Sequence, residues 1–214
     1  MKGITFDGIH SYDHFALILT SKNIGQPTVK TEYVEVLGAD GQLDLTEAFG
    51  DIKYNNRKLT FIFSISEFNQ DWTTAYSRVL NALHGKKMKI VLDDEPEYYY
   101  LGRVNVSDYT SSKRIGNIII EVDAEPYKYK QTLTIVTRTI SGTLTVDFYN
   151  SRKTVVPKFV TNAQVQIVYN NGNTYTIAGS GTHIIPNIIF KQGMNTLTFN
   201  GTATVAVQYQ EGDL

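Results

Sequence analysis

Apolar residues alternate with polar ones in several stretches of the first 130 residues. Leu59, Phe61, Phe63 and Ile65 share one parity, as do Met88, Ile90 and Leu92, and again Ile118, Ile120 and Val122. Side chains two apart point the same way on a strand, so each set predicts a strand half-buried against a core. From Gln70 to His84 the period changes. Trp72, Tyr76, Val79, Leu80 and Leu83 follow the i, i+4, i+7, i+8, i+11 stripe of an amphipathic helix. Asn69 is placed to cap it, Asp71 suits the dipole in its first turn, and Gly85 supplies a left-handed residue after its last. That stripe needs a partner, and the neighbouring strands are the nearest one, so the first domain is expected to be α+β.

Beyond residue 130 only strand patterns remain. Leu144, Val146 and Phe148 alternate with Thr143, Thr145 and Asp147. Val165, Ile167 and Tyr169 follow, then Leu197 and Phe199, then Val205, Val207 and Tyr209. Ser141-Gly142, Asn171-Gly172, Ser180-Gly181, Gln192-Gly193 and Asn200-Gly201 read as the turns between them. Short strands separated by such turns predict a β-sandwich or jelly roll. Charge divides the chain at the same place: residues 1–130 hold 15 Lys/Arg and 18 Asp/Glu, whereas 131–214 hold 5 and 3. The expected domains are therefore 1–130 and 131–214, with the boundary near Tyr127–Gln131, in a mainly β protein.

Composition narrows the function classes. A net charge of −1 over 214 residues supplies no bulk field for nucleic acid or anionic membrane. The chain has no cysteine, which removes disulfides, thiolate zinc sites and Cys nucleophiles together. Asp7 interrupts the N-terminus before a secretory h-region forms, and Phe15-Ala16-Leu17-Ile18-Leu19 falls far short of the ~20 residues of a membrane span. A soluble product made in the cytosol is expected.

Candidate chemistry is sparse. Gly179-Ser180-Gly181-Thr182-His183-Ile184 starts like a dinucleotide loop but lacks the third glycine, and Pro186 stands where the helix should run, so it reads as a hairpin turn. His10 and His14 have i, i+4 spacing without the Glu of a zincin, and read as two surface histidines in a loop. Asp93-Asp94-Glu95-Pro96-Glu97 reads as a solvated acidic hairpin turn, with a hard-cation site as the sharper alternative. No P-loop or nucleophile elbow occurs. No catalytic, cofactor-binding or metal-ligating residue is assigned, and no enzyme activity or cofactor is expected. Lys86-Lys87-Met88-Lys89 reads either as a solvated strand start beside a helix C-terminus or as a contact for an acidic neighbouring subunit. Tyr98-Tyr99-Tyr100 divides evenly between core and interface.

Several of these pieces occur in a familiar order. Gly41-Gln42-Leu43-Asp44-Leu45-Thr46-Glu47-Ala48-Phe49-Gly50 leads to Tyr54-Asn55-Asn56-Arg57 and the Phe61/Phe63 strand. The Trp72 helix follows and ends in Leu80-Asn81-Ala82-Leu83-His84-Gly85-Lys86-Lys87. The acidic turn, the tyrosine run and Glu121-Val122-Asp123-Ala124-Glu125-Pro126-Tyr127-Lys128-Tyr129 complete the series. Over residues 1–130 this resembles the N-terminal domain of the phage distal tail protein (Dit) family of siphophages and prophages of Gram-positive hosts.

The resemblance implies a virion structural protein, assembled in the host cytoplasm, whose N-terminal domains form a hexameric ring around a channel through which DNA passes. That ring would join the tail tube protein to the tail-tip or tail-associated lysozyme protein, and would serve as a hub for receptor-binding or baseplate proteins. Residues 131–214 would be its galectin-like β-sandwich. No membrane or specific nucleic-acid partner follows from it. On that reading Tyr98, Tyr99, Tyr100, Lys86 and Lys87 are candidate subunit-interface residues. A carbohydrate-binding adhesin is the alternative, with Tyr149, Tyr169, Tyr175 and Tyr209 as stacking surfaces. A cell-wall hydrolase would have only the acidic cluster behind it.

Overall fold

The alternating stretches fold as strands with their apolar parity inward, in a computed structural model that describes residues 3–48, 50–65, 72–111, 116–169 and 172–214. The chain forms two units, Met1–Lys128 with Leu214, and Tyr129–Asp213. In chain order the first part contains β1 (Ile4–Phe6), β2 (Ile9–His10), α1 (Ser11–Phe15), β3 (Leu17–Ile24), β4 (Tyr33–Glu35), β5 (Gln42–Asp44) and β6 (Arg57–Ile65). It continues with α2 (Trp72–Leu83), β7 (Lys87–Leu92), β8 (Tyr98–Ser111) and β9 (Gly116–Lys130).

Seven of these strands form the main sheet in the order β2-β1-β7-β8-β9-β6-β3, with β3 at one edge. Leu59, Phe61 and Phe63 on β6 register against Val122, Ile120 and Ile118 on β9, and all six side chains are fully buried. Val79 and Leu83 of α2 join this core, and Tyr76 stacks on Tyr109 of β8 at 4.8 Å. At the end of α2, Gly85 takes φ +76°, and Lys86 Nζ accepts no role as a free charge: it donates to the carbonyls of Asn81 and Ala82. The expected start of this helix, with Asn69 and Asp71, lies outside the described residues.

Between β3 and β6 the chain leaves the sheet. Residues 27–48 and 50–56 form a ribbon arm, held at its root by Lys30 N to Lys53 O and Asn55 N to Thr28 O, with β4 and β5 paired beyond. Arg57 anchors the root. It is 3 % exposed, donates to Gly25 O, Pro126 O and Gln26 Oε1, and lies over the Tyr100 ring.

The second part contains β10 (Thr134–Asn150), β11 (Lys158–Thr161), β12 (Val165–Tyr169), β13 (Asn173–Ile177), β14 (Gly181–Ile184) and β15 (Gly193–Tyr209). The 17 residues of β10 pair without a break along the 17 of β15. One half of β15 also pairs with β12 and the other half with β11, so β15 is the central strand of a six-stranded sheet. Phe148, Phe159, Phe190, Phe199 and Tyr209 belong to the core of this unit.

Two of the five expected turns are therefore not turns. Gly142 and Gly201 face each other inside β10 and β15, with φ +87° and +138°. Their left-handed freedom bends the ribbon without reversing the chain.

Candidate functional site

The acidic turn after β7 is engaged, not solvated as its composition suggests. Asp93 Oδ2 accepts from Gly3 N at 2.6 Å and lies 3.1 Å from His10 Nε2. Asp94 pairs with Lys22, and Glu95 with Lys128. His10 is itself an N-cap, not a loop residue. It accepts from Asp13 N at the start of α1, while its Nδ1 lies 2.9 Å from Asp13 Oδ2. His14 falls on α1, and its carbonyl accepts from Arg78. The two histidines do not converge on one point. Among the described residues no group of three or more His, Asp or Glu is placed to hold a metal ion.

Clefts are shallow. One of about 550 Å³ runs along the arm and is lined by Val29, Thr31, Asp44, Thr46, Glu47 and Ile52. Another of about 230 Å³ lies between β1, β3 and β7, beside Lys22 and Asp94. Neither gathers a nucleophile with a base. Asp44, which lines the first, sits below the usual carboxylate range because Thr46 donates to it through its hydroxyl and its backbone N–H. That is a turn contact, with no base or acid poised for chemistry.

What the surface offers instead is contact area. Val29, Tyr33, Val34, Val36, Leu37 and Leu43 on the arm are all exposed, Leu37 completely. Val34 and Leu43 face each other across β4 and β5, so one side of the hairpin is apolar and bare. The other side carries Glu35, which accepts from Gln42, and Asp44.

The tyrosine run divides by parity. Tyr100 is core, 4 % exposed, and burial with the nearby Glu95 holds its hydroxyl pKa above the ordinary value. A buried ring is not available to a neighbour, so Tyr100 leaves the interface set. Tyr99 points the other way, with Lys89 Nζ 4.8 Å from its ring centre, and Tyr98 lies beneath Lys128. Lys87 pairs with Glu125 at 2.7 Å, and directly opposes Arg103 in the β7–β8 register. In the second unit Tyr169 and Tyr209 are core, whereas Tyr149 is 58 % exposed and Tyr175 half-buried. Two of the four proposed stacking rings are thus unavailable to a sugar. The arm was the feature that periodicity missed; its signal was an apolar set flanked by acids with no helix or core-facing strand pattern.

No family model and no curated protein matches the chain. Among solved structures it is similar to the crystal structure of SPP1 Dit (gp 19.1), described as a paradigm of the hub adsorption apparatus in Gram-positive infecting phages. The identity is 14 %, each chain is covered over 100 % of its length, and the TM-score is 0.75. The two proteins share one fold from end to end. The resemblance drawn from residues 1–130 and the mainly β architecture are both met by this likeness.

Proposed function

We propose that this chain is a structural component of a phage tail, a Dit-like ring subunit that joins the tail tube to the tail tip and anchors adsorption proteins. The observation that carries this reading is the full-length likeness to a hub protein, covering 100 % of both chains. Its likeness at 14 % identity establishes the fold, and fold alone does not fix function. Two features of the surface support the role. The acidic turn residues Asp93, Asp94 and Glu95 are engaged in internal ties. Within the first unit, exposed large apolar side chains gather on the arm, as in a protein whose work is to be contacted.

In this reading six copies close a ring through a heterologous interface, in which one patch meets a different patch on the next subunit. Tyr98, Tyr99, Lys86 and Lys87 belong to that interface. The tail tube protein and the tail-tip protein bind its two faces, and Tyr129–Asp213 forms the outer galectin-like domain. The ring sits in the virion tail and acts without a cofactor.

Light scattering across a concentration series tests the reading, with negative-stain imaging of the same samples. A mass near six subunits with annular particles is expected. A monomer at every concentration, with no ring in the presence of a tail tube protein, would overturn it.

A further inference from the structure

The outer edge of β10 is long and unguarded. The strand spans 17 residues, and among the described residues it pairs with β15 alone. The other outer strands of the same sheet, β13 and β14, run to 5 and 4 residues. Short length, lysine and proline are the usual defences of an edge against a foreign strand. β10 has none of them, and its charges are Arg138 and Asp147 only. Ile135, Thr137, Arg138, Thr139 and Ser141 are exposed along it, up to the bend at Gly142.

The direction of the backbone groups follows from β15. Thr139 lies opposite Thr204 in the register. Thr204 turns both of its backbone groups away from β10: its N–H donates to Asn162 Oδ1 at 2.8 Å, and its carbonyl accepts from Asn162 N at 3.3 Å. Bonded and non-bonded pairs alternate along an antiparallel ladder. Thr139–Thr204 is therefore a non-bonded pair, and so are Thr137–Ala206 and Ile135–Gln208. The N–H and C=O groups of Ile135, Thr137 and Thr139 consequently point to the open edge. A side chain already answers one of them, since the Thr137 carbonyl accepts from Arg138 Nη1 at 2.9 Å.

We propose that Ile135–Ser141 accepts an extended segment of a partner protein as an added strand, with a carboxylate of that segment on Arg138. This rests on the hub reading above and supplies the means by which an adsorption protein is anchored. Main-chain hydrogen bonds give such a contact its affinity, and the side chains of the row set its preference. Arg138 selects an acid opposite it, and Ile135, 53 % exposed, selects an apolar neighbour. A second copy of this chain fits less well. Pairing β10 with itself needs a two-fold axis, whereas ring contacts are heterologous. Nor do Ile135–Ser141, β13 or β14 carry an acid to meet Arg138.

The test uses the full chain and a synthetic peptide probe of alternating valine and threonine, with one central glutamate and a lysine at each end. A control peptide is N-methylated at alternate amides. Amide hydrogen exchange is followed residue by residue. In the free chain, Thr137 and Thr139 amides are expected to exchange fast and those of Val136 and Arg138 slowly. The probe is expected to bind with a dissociation constant of about 1 mM or tighter and to protect Thr137 and Thr139, and the methylated control to protect neither. Arg138→Glu should weaken binding at least about fivefold, and exchanging the probe's glutamate for lysine should restore it. Slow exchange of Thr137 and Thr139 in the free chain would overturn the edge geometry. No protection by about 5 mM probe, or equal protection by the methylated control, would overturn strand addition. Protection that grows with protein concentration alone would make a second copy the occupant and overturn the foreign partner. A ring that forms without probe binding removes this inference and leaves the hub reading; probe binding by a chain that never forms a ring removes the hub reading and leaves the edge.

Discussion

Asp93 and His10, 83 residues apart in sequence, meet at 3.1 Å and lock the N-terminal segment onto the turn that follows β7. Gly3 completes the lock, donating its N–H to the same Asp93 oxygen. A Cβ at Gly3 would lie 2.5 Å from His10 Nε2, so a glycine is what lets the backbone approach. Asp93→Ala removes the acceptor from both donors and is expected to cost about 2 kcal/mol in urea unfolding. Asp94→Ala breaks a more exposed pair with Lys22 and should cost under about 1 kcal/mol. Equal losses for the two would show that Asp93 holds nothing special.

Arg57 is the second fixed point of the first unit. Replacement by Leu would strand the carbonyls of Gly25 and Pro126 and bury no comparable donor. A loss of about 2–4 kcal/mol is expected, together with faster proteolysis between residues 27 and 56. Lys should rescue little, because a single ammonium cannot reproduce the planar set of bonds made by Nε, Nη1 and Nη2. Limited proteolysis of the folded variant reads the arm directly, and an unchanged cleavage pattern would contradict the anchoring role.

Strand identity was legible because burial imposes a period of two. The Leu59–Ile65, Met88–Leu92 and Ile118–Val122 sets all place their predicted apolar parity in the core. The α2 stripe was legible for the same reason at a period of 3.6, with Val79 and Leu83 buried. The ties made by Asp93, Asp94 and Glu95 were not, since each partner lies at least 33 residues away and no local rule links them. Arg57 was hidden differently. It occupies a buried position at the start of β6, where polar identity masks inward geometry. Gly142 and Gly201 misled because a Gly signal reports positive φ, which a bend inside a ribbon needs as much as a turn does.

Gly142 supports a direct test of that bend. Its φ of +87° is strained for any residue with a Cβ, although nothing lies within 4 Å of one placed there. Gly142→Ala should therefore cost about 1–2 kcal/mol through backbone strain alone. Gly201→Ala should cost more, because its Cβ would also come within 3.3 Å of the Gln164 carbonyl. Thermal unfolding of both variants, compared with wild type, gives the order. A Gly142 variant as stable as wild type would mean that the ribbon bends without left-handed backbone.

Tyr209 makes stability depend on alkaline pH. Burial, with Glu211 nearby, pushes its hydroxyl up to about 12 from an ordinary 10.0, while the hydroxyl donates to the Tyr149 carbonyl. The folded state thus holds this proton more tightly than the unfolded chain does. Its contribution is fully present below pH 10 and is lost as pH rises toward 12, with a slope of up to about 1.4 kcal/mol per pH unit. Urea unfolding at pH 9, 10 and 11 should show that slope in wild type and a shallower one in Tyr209→Phe. Identical slopes would assign the alkaline loss to other groups.

Glu211 is the charged group of the second unit whose partners matter most. Its side chain is 4 % exposed; Oε1 accepts from Lys130 Nζ at 2.7 Å and from the Thr134 hydroxyl, while Oε2 has no partner among the described residues. Lys130 is 36 % exposed, so the two halves of this pair are not equivalent. Lys130→Met leaves a buried carboxylate with one hydroxyl donor, which should cost about 3 kcal/mol. Glu211→Gln leaves an ammonium that can turn to water, and should cost only about 1 kcal/mol. Combining Lys130→Met with Glu211→Gln is expected to recover most of the Lys130→Met loss, since no buried charge remains. The double-mutant cycle in urea isolates that coupling. If Glu211→Gln proved the costlier single change, the carboxylate would be held by Thr134 and backbone packing rather than by Lys130, and the pair would have to be read as incidental.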